Sequence, residues 1–120
     1  MSASENILTI DHSLPVLDQL FLAEMVGHDL AFAKEMLAFF LQNSRGYLSE
    51  LSDLTTSPHD EWRPMVHKFK GAARSIGAKQ LAAAGQVAES YLDQDSALRK
   101  AFVAYAKDSL DEIEATEINF

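Results

Sequence analysis

One histidine in this chain stands where a reactive side chain would be placed. His67 lies in the run Val66-His67-Lys68-Phe69-Lys70-Gly71-Ala72-Ala73-Arg74-Ser75-Ile76-Gly77-Ala78. Laid out at about 100° per residue, Trp62, Met65, Phe69, Ala72 and Ile76 share one side of a helix. Arg63, His67, Lys70, Gly71 and Arg74 share the other. An imidazole in the middle of a solvated stripe, beside cations and a glycine, is poorly explained as core packing. It suits a histidine that another molecule must reach and that must carry an anion. Lys70 and Arg74 are spaced to reach an anion bound at the ring. Gly71, one turn on, costs roughly 1 kcal/mol of helix propensity against alanine, and in return removes side-chain bulk beside the imidazole.

The charge distribution singles out the same place. Between Glu61 and Glu89 there is no acidic residue, yet five of the ten basic residues lie there: Arg63, Lys68, Lys70, Arg74 and Lys79. A small positive island thus surrounds His67 in a chain of formal net charge −8. That net charge argues against nucleic acid as a partner, because phosphate backbones are bound by a basic face. The chain has no cysteine, which excludes disulfides and thiolate metal sites. Its start lacks the basic and apolar regions of a signal peptide, and no apolar run approaches the ~18 residues of a membrane span. A cytoplasmic monomer that binds no membrane is the expectation.

The elements that must position His67 read as helices throughout. A length of 120 residues suits one domain with its own core. Residues 1–12 read as a flexible lead-in, 13–116 as a helical bundle and 117–120 as a tail. Ser13 is expected to cap a short first helix with Pro15 just inside it, ending at Gly27 and carrying Leu17, Leu20, Phe21 and Met25. A long second helix is expected from about Asp29 to Leu54, with Phe32, Met36, Leu37, Phe40, Leu41, Tyr47, Leu48 and Leu51 recurring at helical spacing. Asp60 would cap the third, with Pro64 in its first turn and Gly77 at its end. The fourth would run from Lys79 to about Asp93, with Leu81, Val87, Ala88, Tyr91 and Leu92 as its apolar content. Its small residues Ala82, Ala83, Ala84 and Gly85 would let a neighbouring helix approach closely. The fifth would span Ser96 to Ala115, with Leu98, Phe102, Tyr105 and Ile113 inward. Four long helices with short connections predict an all-α fold, an antiparallel up-down four-helix bundle with a short additional N-terminal helix.

Competing chemistries find little support. His28-Asp29 and His59-Asp60 superficially resemble the paired ligands of metal phosphohydrolases, but they fall at helix starts, where aspartate is expected as a cap. Di-iron bundles use Glu-x-x-His pairs on two helices, and none is present. No glycine-rich nucleotide loop occurs. His67 is not followed by the acidic residue and proline typical of kinase dimerisation helices. No metal site is therefore expected.

The run from His67 through Phe69, Lys70, Gly71, Ala72 and Ala73 to Ile76, Gly77 and Ala78 closely resembles the signature of histidine-containing phosphotransfer (HPt) domains. The turn Val26-Gly27-His28-Asp29, followed by Phe32 and the Met36–Leu41 run, is similar to the family's passage from first to second helix. The resemblance covers roughly residues 12–115. It implies a phosphorelay intermediate whose His67 Nε2 takes a phosphoryl group from a receiver-domain aspartyl phosphate and passes it to another response-regulator receiver. It implies that Lys70 steadies the phosphoryl oxygens and that Gly71 gives clearance. A carboxylate or amide at the offset of Glu89, 22 residues past His67, would bond the ring's Nδ1–H, with Gln86 as the alternative. Arg74 stands where the family often has a small or polar residue, which suggests tuning or partner choice. Transfer would need no cofactor of this chain, since the receiver supplies Mg²⁺ and a lysine. Receiver domains and a hybrid sensor histidine kinase are the implied partners. Arg63 and Arg74 would form a charged rim, and Leu14, Leu17 and Phe21 an apolar patch. A non-catalytic module that binds a receiver or kinase and sequesters it is the alternative.

Overall fold

Apolar residues at helical spacing, punctuated by Gly27, Pro58 and Gly77, build five helices. In the computed structural model, which describes residues 8–120, these are α1 (Gln19–Met25), α2 (Leu30–Asp53), α3 (His59–Ile76), α4 (Lys79–Ala88) and α5 (Ser96–Ala115). The fold is all-α, with no strand among the described residues. Residues 1–7 of the expected lead-in lie outside the described residues. Among the described residues, no helix is long and apolar enough to cross a membrane. α3 packs against both α2 and α4, α5 closes against the same two helices, and α1 touches α2.

The core is built around α3. Trp62, Val66, Phe69 and Ala73 are fully buried with Leu51 of α2, Leu81 and Ala88 of α4, and Phe102 and Leu110 of α5. Phe102 meets Trp62 and Phe69 edge-on, at centroid distances of 6.3 and 6.0 Å. Burying each such side chain contributes about 1.5–3 kcal/mol, and the edge-to-face geometry adds to it. The buried arc of α3 is rotated from the expected one: it centres on Trp62, Val66, Phe69 and Ala73, while Met65 and Ala72 are only partly buried. The close seam with α4 draws that side inward, and it carries Lys70 with it.

Several boundaries differ from those the sequence suggests. Asp18, not Ser13, caps α1, its carboxylate accepting from the Phe21 N–H at 3.0 Å. Residues 14–18 instead lie across the α3–α4 turn, where the Asp18 N–H donates to the Gly77 carbonyl at 2.8 Å and the Gln80 N–H to that of Pro15 at 3.0 Å. Asp29 caps α2, as expected. α3 starts one residue before Asp60, and its first N–H, that of His59, donates to the Asp93 carboxylate at 2.7 Å. Pro64 therefore lies in the second turn rather than the first. α4 stops at Ala88, short of Asp93, and side chains from other elements bond the carbonyls at and just past its end. The Trp62 indole N–H donates to Ala88 O at 2.8 Å, and His59 Nδ1 and Arg99 both bond Tyr91 O. Gly77, at φ 85°, ends α3 in the left-handed region, and a Cβ there would come within 2.9 Å of the Phe21 ring.

Some expected core residues face outward. Leu20, Phe21, Met25, Phe32, Val87 and Leu92 are all exposed. A helix only seven residues long cannot bury a full apolar stripe, which accounts for three of them.

Candidate functional site

The middle of α3 presents His67 to solvent, its side chain 63% exposed. The amphipathic spacing that buries Trp62, Val66 and Phe69 turns it outward. The ring is held from the neighbouring helix: Nδ1 lies 2.8 Å from Oε1 of Glu89, the residue that ends α4. A carboxylate only accepts hydrogen bonds, so the Nδ1 facing it carries the proton, and in the neutral ring the lone pair is then on Nε2. The ring is thereby oriented with its nucleophilic nitrogen away from α4.

Behind the ring lies a buried ion pair. Lys70 Nζ is 2.8 Å from the same Glu89 oxygen and donates to Gln86 Oε1 at 2.9 Å. Lys70 is 5% and Glu89 7% exposed, which corrects the expectation of a solvated lysine on the His67 stripe. The reason is the rotation of α3 toward α4. Burial pushes the Glu89 carboxyl up, but hydrogen bonds from Lys70 and His67, with their charges, outweigh it and hold the group below the usual carboxylate range. Glu89 is therefore ionised at neutral pH. Gln86, the other sequence candidate for the ring, bonds the lysine instead.

The open side of His67 is bare. A Cβ built on Gly71 would meet nothing within 4 Å, so the position beside the imidazole is empty of protein. Arg63 and Arg74 are exposed, one turn before and two turns after His67. Arg74 borders a shallow depression with Leu14, Phe21, Lys79, Ala82, Ala83 and Gln86, which joins the Lys70 end of the site to α1. Lys79 is paired there with Asp18 at 2.8 Å. Leu17 does not contribute to this surface: it is buried in the core beneath α1, because the cap at Asp18 turns residues 14–18 back onto the α3–α4 turn. On the other flank, Phe32, Met36 and Phe39 of α2 face Ala72, Ser75 and Ile76 across an open apolar groove.

Three residues that organise the site have no motif in the sequence. Trp62 pins the last carbonyl of α4 next to Glu89. Arg99, fully buried, donates to the carbonyls of Leu54, Ser57 and Tyr91, tying the α2–α3 and α4–α5 connections together. Its guanidinium stands 5.0 Å over the Trp62 ring. Gly85 lies against the stem of Lys70. The small residues of α4 mark a close helix approach in the sequence, but not which side chain exploits it. No cluster of potential metal ligands occurs among the described residues.

No curated protein matches the chain, and no solved structure does. A family model does: that of the Hpt domain, over residues 35–116, which is well over half of the chain and spans α3, α4 and the His67 site. With an oriented, solvent-facing histidine at the centre of that match, the chain belongs to the Hpt domain family, the histidine phosphotransfer modules of two-component phosphorelays.

Proposed function

We propose that this protein is a phosphorelay intermediate acting between two receiver domains, with His67 as the phosphoryl carrier. The observation that carries this reading is the hydrogen bond that the Nδ1–H donates to Glu89, which leaves Nε2 free on an exposed ring. In the forward step the Nε2 lone pair attacks the phosphorus of a receiver's aspartyl phosphate. The N–P bond forms as the P–O bond to the aspartate breaks, and the aspartate leaves as a carboxylate. The ring keeps its Nδ1 proton and gains positive charge, which the Glu89 carboxylate facing it offsets. Delivery to the second receiver reverses these bonds on a different aspartate.

Lys70 acts through Glu89 in this reading. Its ammonium balances the carboxylate so that Glu89 can stay charged while buried. Gly71 gives the receiver clearance. Mg²⁺ and the lysine that stabilise the transferring phosphoryl group belong to the partner. The chain would work as a cytoplasmic monomer, its α2–α5 helices running alternately up and down as a four-helix bundle. Receivers would dock on Phe21, Leu14 and the apolar groove of α2, with Arg63 and Arg74 meeting acidic groups at the rim.

The test is incubation with ³²P-phosphorylated receiver domains. The label acquired should be acid-labile and base-stable, as a phosphoramidate is, and should chase onto a second unlabelled receiver. His67→Gln should keep its helical circular dichroism and take up no label. Labelling of that variant would overturn the assignment.

A further inference from the structure

The geometry points to Gly85 as a positioning residue for phosphotransfer, one that admits the Lys70 stem into the α3–α4 seam and so delivers its ammonium to Glu89. This deepens the phosphoryl-carrier reading and rests on it. A Cβ at Gly85 would lie 3.1 Å from Lys70 Cβ, 3.4 Å from its Cγ and 3.6 Å from its Cα. The first of these is closer than ordinary van der Waals contact, so the backbone of α4 and the root of Lys70 are as near as a missing side chain allows. One turn later on the same face of α4 comes Glu89, whose N–H donates to the Gly85 carbonyl at 3.0 Å. The lysine therefore crosses α4 at Gly85 and ends beside Glu89 and Gln86, at 2.8 and 2.9 Å.

The other helix-interior glycines do not share this arrangement. A Cβ at Gly46 or Gly71 would meet nothing within 4 Å. Propensity alone favours alanine at position 85, so a glycine there is offset by what it lets in. An added methyl must push Lys70 or the whole of α4 away by a few tenths of an ångström. Either movement loosens the ammonium from Glu89, and with it the carboxylate that holds the His67 ring.

The experiment compares Gly85→Ala, Lys70→Met, their combination and Gly46→Ala with the unaltered protein. Three readouts are taken: the ¹⁵N-detected ammonium signal of Lys70, the ¹⁵N shifts of the His67 ring, and the rate of transfer from a phosphorylated receiver. Gly85→Ala should keep the fold and lose or shift the Lys70 signal. Its ring should lose preference for the Nδ1–H form, and transfer should slow by up to about tenfold, the order expected when a functional histidine loses its supporting partner. In the Lys70→Met background, Gly85→Ala should change the ring and the rate no further, because both variants act through the same ammonium. Gly46→Ala should leave all three unchanged. An unmoved ring and ammonium signal in Gly85→Ala would overturn the inference, as would an additional loss in the double variant. Loss of the fold in Gly85→Ala would also overturn it, since the glycine would then serve the helix seam itself. Should the unaltered protein take up no label, the phosphoryl-carrier reading fails, while the two spectroscopic readouts still decide whether Gly85 sets the Lys70–Glu89–His67 geometry.

Discussion

Removing either member of the Lys70–Glu89 pair should destabilise the protein far more than removing both. At 2.8 Å and an effective dielectric of about 20, the attraction between the two charges is roughly 6 kcal/mol. Each ion gives up several kcal/mol of hydration to be buried, so the intact pair contributes little net stability. Breaking it leaves one ion desolvated without its partner, at a cost of about 3–5 kcal/mol in comparable buried pairs. The low end applies here, because a stranded Lys70 still has Gln86 and a stranded Glu89 still has His67. Lys70→Met and Glu89→Gln should therefore each cost about 3 kcal/mol. The double variant should cost about 1 kcal/mol, a coupling of several kcal/mol that an exposed pair never shows. Lys107 and Asp111, 3.3 Å apart with both side chains at least half exposed, provide the control: Lys107→Met should cost under about 0.5 kcal/mol. Urea unfolding followed by far-UV circular dichroism at neutral pH measures all four, with equal m-values as the check on two-state behaviour. Single variants costing under about 1 kcal/mol, or a double variant as costly as the sum, would refute the buried-pair reasoning.

Gly71→Ala should stabilise α3 by up to ~1 kcal/mol, since its new Cβ touches nothing, while slowing transfer, and Gly71→Gln should slow it further. Wild-type transfer rates in Gly71→Gln would remove the clearance argument. Arg74→Ala should weaken association with a cognate receiver more at low salt than at high, with the urea midpoint nearly unchanged; equal affinity at low ionic strength would take Arg74 out of the interface. Because the Glu89 carboxyl is held below its ordinary range in the folded chain, its contribution to stability is complete above that range. It is lost as pH falls through the lowered value. A urea-midpoint series from neutral to acid pH should thus show a fall that Glu89→Gln reduces, and identical pH profiles would contradict the assignment.

The helical class, the Asp29 cap, the Gly77 stop and the outward placement of His67 are local matters. They follow from apolar spacing and turn chemistry that neighbouring residues settle among themselves. The run from His67 to Ala78 likewise carried the family resemblance without any knowledge of packing. What sequence could not place is what depends on a second helix. On a helical wheel Lys70 lies about 70° from the centre of the buried arc, a position that is solvent or seam according to how closely α4 approaches. Only the contact at Gly85 makes it seam. For the ring's partner the sequence offers Glu89, with Gln86 as the alternative. Glu89, still helical in conformation at the end of α4, meets His67, while Gln86, three residues earlier, meets the lysine. On a helix starting at Ser13, Leu17 belongs both to the apolar set and to an exposed docking end; with Asp18 as the actual cap it lies in the core. Sequence thus determined which residues have the chemistry, because that is a property of side chains and local backbone. Tertiary structure decided which of them touch, because a bond between helices depends on rotations and separations that only the packed core establishes.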